Sequence, residues 1–68
     1  MKFAAARVEK IIREAGAFRV SANAIDALNK IVSDRSLTIA KKAVEIAQLS
    51  GRKTVKETDI KLANDGLS

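Results

Sequence analysis

Apolar residues recur along this chain at helical spacing, in three blocks of unequal length. In the first block Ala4, Val8, Ile11, Ile12 and Ala15 fall on one face of a helical wheel. Lys2, Lys10 and Arg13 lie opposite, Arg7 stands at the border, and Glu9 and Glu14 dilute the charge. This pattern predicts a helix over about 3–14. The second block, 22–49, contains neither glycine nor proline. Ile25, Leu28, Val32, Ile39, Ala43 and Ile46 recur there at steps of three and four. A flanking row of Ala24, Ile31, Leu37, Ala40, Val44 and Ala47 widens the stripe, and both rows thin out at Ser33-Asp34-Arg35-Ser36. Strand-like alternation is absent, so one long helix is predicted. The third block places Ile60, Leu62 and Ala63 on a short helix over about 57–64.

The segments between the blocks read as caps and turns. Gly16 stands where a glycine ends a helix in the left-handed conformation, and Ser21 is placed to cap the second helix. Gly51 closes the long helix. Thr54-Val55-Lys56 tolerates extended backbone and suits a short pairing with a neighbour. Glu57 and Asp59 favour the positive end of the third helix dipole. Lys56 is a poor side-chain cap, so tertiary contacts are expected to hold that start, and 65–68 is expected to fray. With no linker, repeat or low-complexity tract, residues 1–68 read as a single all-α domain.

Length then makes the long helix a problem. About 28 residues at 1.5 Å each give a rod of about 42 Å. A compact globule of 68 residues is only about 28 Å across. The helix overhangs any core that one chain can build, and its apolar ends call for a second molecule. Cysteine and histidine are both absent. Disulfides and thiolate metal sites are excluded, together with the commonest metal ligand and general base. No cofactor or metal is expected.

Thirteen Lys and Arg against eight Asp and Glu leave a net charge of +5 per chain, or twice that for two chains, which favours a polyanionic partner. Phe3 and Phe18 are the only aromatics. Single-strand and RNA-binding modules depend on exposed aromatic platforms, so the duplex backbone is the better match. No bilayer-length apolar run or signal-peptide pattern is present, and a soluble cytoplasmic protein is expected. Surface binding to a membrane through the first helix is a weaker possibility, because its apolar side is slight. An enzyme is the poorest match: Ser21 and Ser50 have no base nearby, and no phosphate-cradling glycine loop is present.

Three segments carry a likeness to a known family. They are Lys10-Ile11-Ile12-Arg13; Ala15-Gly16-Ala17 with Arg19-Val20-Ser21; and Gly51 to Lys56 followed by Asp59-Ile60 and Leu62-Ala63. With matching spacing over essentially the whole chain, the sequence resembles an archaeal histone. The resemblance implies a histone fold: short helix, long central helix and short helix, intertwined head to tail with a second chain in a handshake dimer. It implies that Arg19 reaches into the minor groove, steadied by Thr54 of the other chain. Lys10, Arg13 and Lys53 would meet phosphates, and Ser21 would add a hydrogen bond. Arg52 and Asp59 correspond to an internal salt bridge holding the second turn against the third helix.

Two departures stand out. The family commonly opens with prolines, whereas this chain has none, so its first helix is expected to begin early. Where the family usually carries a histidine that bonds an aspartate across the dimer–dimer junction, this chain has Leu49. Asp59 would be that acceptor. Ile46, Leu49, Leu62 and Asp59 form the candidate multimer interface, although the patch of Ile46, Leu49 and Leu62 also reads as internal packing. Lys30 and Lys61 offer no obvious stacking salt bridge. Taken alone, Lys10 and Arg13 also read as an ordinary solvated face.

The expected function is DNA packaging: a homodimer, or a heterodimer with a related histone, bends or wraps duplex DNA with little sequence preference in the nucleoid. Tetramers or larger assemblies on DNA are a further expectation. The alternative is a histone-fold interaction module, a heterodimer component with no packaging role.

Overall fold

The computed structural model describes residues 3–67; Met1, Lys2 and Ser68 lie outside the described residues, and so does the Leu67 side chain. Three helices follow one another: α1 (Ala5–Glu14), α2 (Ala22–Leu49) and α3 (Glu57–Leu67). No strand occurs among the described residues. The chain divides into two compact units, residues 1–34 and 35–68, with the boundary in the polar stretch that interrupts the apolar rows of α2.

The first unit is built around Val8 and Ile25, both buried, with Ile12, Leu28 and Val32 half-buried. Its α1 begins at Ala5, later than expected, and the cause is a side-chain clamp. The Phe3 N–H donates to Asn29 Oδ1 at 2.8 Å, and Asn29 Nδ2 donates to the Phe3 carbonyl at 2.6 Å. The Ser33 hydroxyl donates to the same Oδ1 at 3.2 Å. Gripped at both backbone groups, Phe3 is held out of the helix, and Ala4 stays extended at φ −63°, ψ 134°. Asn29 and Ser33 are themselves buried, and this mutual bonding satisfies them.

The second unit has a core of small residues. Ala43, Ala47 and Ala63 are buried, whereas Leu62 and Ile60 are exposed. Alanine at these positions lets α3 lie close to the C-terminal half of α2. Its α3 runs to Leu67 rather than ending near Asn64, and the expected fraying of 65–67 is not found. Gly66 does not stop it: the positive-φ glycines are Gly16 and Gly51, so Gly66 keeps the helix going rather than reversing the chain.

Among the described residues five apolar side chains are buried, three of them alanines, while ten large ones are exposed. Ile31, Leu37 and Val44, from the flanking row of α2, are among the exposed. The main apolar row of α2 is thus buried or half-buried in the single chain, whereas its flanking row, Ala47 apart, is still uncovered.

Candidate nucleic-acid interface

Each basic turn is shaped by the helix ends that flank it. Gly16, at φ 114°, turns the chain out of α1 while its N–H donates to the Arg13 carbonyl at 2.9 Å. At the other end of this turn Ser21 Oγ accepts from the Ala24 N–H at 3.1 Å, capping α2 as expected. Capping uses a lone pair and leaves the hydroxyl proton to donate. Between these anchors Arg13 reaches across, donating from Nη1 to the Phe18 carbonyl at 2.8 Å and from Nε to Glu9 at 2.9 Å. Arg19 is exposed and enters no ion pair among the described residues.

The second turn opens on a Schellman arrangement. The Arg52 N–H donates to the Ala47 carbonyl at 2.9 Å and the Gly51 N–H to Gln48 at 3.0 Å, with Gly51 at φ 74°. Arg52 then grips Asp59 with both terminal nitrogens, at 2.8 and 2.7 Å, and donates from Nη1 to the Thr54 carbonyl at 3.0 Å. Asp59 is buried, and its Oδ2 also accepts from the Lys56 N–H at 2.8 Å. That last bond explains how α3 starts on so poor a capping residue. Asp59 sits at the third helical position and bonds back to the backbone of the cap, half of a capping box. The carboxyl is held down at about 2, first by the Arg52 hydrogen bonds and then by that of Lys56, against the opposing effect of burial. The turn is thus fastened from inside, and Lys53 and Thr54 are left exposed on it.

The expected phosphate contacts differ in their freedom. Lys10, Arg19 and Lys53 are exposed and outside the ion pairs of the described residues. Arg13 is already engaged with Glu9 and Phe18, though its guanidinium has further donors to offer. Lys10, Arg13, Arg19 and Ser21 all lie in the first unit; Lys53 and Thr54 lie in the second. In the candidate multimer patch, Leu49 is 90% exposed and Leu62 60%, while Ile46 is half-buried. Asp59 differs from them: it is buried, and both its oxygens are taken within the chain. Lys30 and Lys61 pair within their own helices, with Asp34 and Glu57.

Two residues of this region carry little signal in the sequence. Asn29 was legible only as a polar break in an apolar row. Phe18, 96% exposed in the first turn, gave its signal as an apolar side chain between a glycine and an arginine. No group of three or more potential metal-binding side chains gathers among the described residues. No helix among them is long and apolar enough to cross a membrane.

The profile of a family described as histone-like transcription factor (CBF/NF-Y) and archaeal histone matches residues 1–63. The chain is 45% identical over 58 residues to one of the subunits of archaeal histone HAN1 from Thermococcus zilligii, covering 85% of this chain and 87% of that one. It is 40% identical over 57 residues to probable archaeal histone 3 of Methanocaldococcus jannaschii, covering 84% of this chain and 85% of that one.

Proposed function

The chain belongs to the family of histone-like (CBF/NF-Y) transcription factors and archaeal histones, and from that premise we propose that it bends and compacts double-stranded DNA as a histone-fold dimer. The family is one of structural DNA-binding proteins, not enzymes. The short–long–short order of helices is the family's order. Residues 1–68 act as one histone-fold domain, completed by a second chain that covers the exposed apolar face of α2. The hollow of about 200 Å³ lined by Phe3, Arg7, Val8, Ile11 and Val32 is part of what that second chain fills.

One observation carries the DNA reading: both turns are fastened by internal bonds, yet each presents an uncommitted cation outward. A turn backbone already held in place loses little freedom on binding. In this reading Arg19 enters the minor groove, steadied by Thr54 of the second chain, and Lys10, Lys53 and the spare donors of Arg13 meet phosphates. Ser21, at a helix N-terminus, donates a hydrogen bond from its hydroxyl to a phosphate oxygen. Such contacts read shape rather than base edges, so sequence preference is weak and the protein stays with the chromosome in the nucleoid.

A gel-shift series in salt tests the reading. If a dimer neutralises about eight phosphates, log affinity falls with log salt at a slope of about −7. Binding that ignores salt, or no binding to duplex, overturns it.

A heterodimer is the second reading, favoured by one observation: the Thermococcus relative is named as one subunit of its histone. A purified chain that melts cooperatively and sediments as a dimer supports the homodimer. One that folds only when a related histone is added supports the heterodimer.

A further inference from the structure

The two aromatic side chains of this protein have opposite surroundings. Phe3 lines the apolar hollow of the first unit, whereas Phe18 stands 96% exposed in the first basic turn and lines no part of that hollow. Its backbone is nevertheless fixed. Arg13 holds the Phe18 carbonyl at 2.8 Å, Gly16 sets the entry to the turn and the Ser21 cap sets the exit. A large apolar ring is therefore displayed by a turn held at both ends and at the Phe18 carbonyl, directly beside Arg19, which is itself exposed.

We infer that Phe18 is a wedge: it enters the minor groove beside Arg19 and partly unstacks one base-pair step, kinking the duplex there. The inference rests on the DNA reading above. A phenylalanine has two ways to leave water here, against protein or between bases. A second copy of this chain would bring the same cationic turn and the same positive net charge, so a duplex is the more favourable partner for this neighbourhood. Apolar wedges beside minor-groove cations are a known means of bending DNA, and the bend lets more protein surface meet the backbone. Unstacking is easiest at flexible pyrimidine–purine steps such as TA and CA. Phe18 thus supplies a sequence preference that the cationic contacts alone lack.

The test uses the full chain, wild type and Phe18→Ala, on short duplexes carrying 2-aminopurine at a TA step and a fluorophore pair at the ends. The wild type should raise 2-aminopurine emission, shorten the end-to-end distance, and favour TA-containing over stiff A-tract duplex by about fivefold. Phe18→Ala should keep its melting temperature, its salt slope and, to within about twofold, its affinity for the stiff A-tract duplex, while its affinity for the TA duplex falls about fivefold to the same level. It should lose the emission change and the preference. Wild-type binding with no emission change overturns the wedge and leaves the DNA reading standing, whereas absence of salt-dependent binding overturns both. An unchanged emission signal in Phe18→Ala, with smaller assemblies on DNA, would make the ring a protein–protein contact and overturn the wedge.

Discussion

Asp59 ties the second turn to the start of α3 through a single buried side chain. One carboxylate holds Arg52, which holds the Thr54 carbonyl, and it also fastens the backbone at the start of α3. Its carboxyl sits at about 2, below the ordinary 3.8. A lowered folded-state value means stability that is fully present above the unfolded-state value and is lost as pH falls through the folded one. The contribution of Asp59 should therefore fade between about pH 4 and pH 2. Thermal melts over that window should show a steep acid loss in the wild type and a flatter one in Asp59→Asn. At neutral pH the variant should melt about 10 °C lower or more. Equal melting of the two proteins at pH 7 would refute this role for the ion pair. Gly51 gives a second check at this scale. Its φ of 74° disfavours any Cβ even though a Cβ there would meet nothing within 4 Å. Gly51→Ala should lose about 1 kcal/mol in denaturant melts and Gly51→Asn clearly less; the reverse order would contradict the left-handed cap. Arg52 and Asp59 were legible in the sequence as a pair through the family likeness. That Asp59 also caps α3 was not, because the bond depends on how the turn closes.

Helix by helix, the sequence is read best where periodicity is long and uninterrupted. The predicted span of α2 agrees at both ends, since Ser21 and Gly51 act where their chemistry places them. Both misjudged boundaries have a non-local or a conformational cause. Phe3 is drawn out of α1 by Asn29, 26 residues further on, which no local pattern reveals. Gly66 sits in an ordinary helical backbone, and composition alone does not distinguish a glycine that ends a helix from one that continues it. The Asn29 clamp carries its own expectation. Asn29→Ala strands the backbone groups of Phe3 and the Ser33 hydroxyl, so it should destabilise the protein by about 2 kcal/mol. Hydrogen exchange should show the loss first in the opening turn of α1. Exchange that speeds up uniformly, with 3–8 no faster than the rest, would contradict a clamp acting on that segment.

For the whole molecule, the decisive quantity is the apolar surface that one chain leaves uncovered. The exposed Ile31, Leu37 and Val44 on α2 belong to the face a second chain is proposed to cover, so the melting temperature should fall by several degrees on tenfold dilution. A concentration-independent melt would argue for a monomer. Leu49 and Leu62 are a separate matter. They stand near the C-terminal end of α2 and on α3, largely exposed, where the family usually has a histidine contact between dimers. A histidine–aspartate bond is directional, and here both oxygens of Asp59 are already bound within the chain. An apolar contact asks only for matching area. If leucine packing has replaced the bond, dimers can still join side by side on DNA, and nuclease digestion of saturated long duplex should leave a regular ladder of protected lengths. Leu49→Lys, changed at a side chain that supports no fold of its own chain, should then collapse the ladder to its shortest band without abolishing binding. If the wild type itself gives one short protected length, single dimers bend DNA independently and the leucines do not join them.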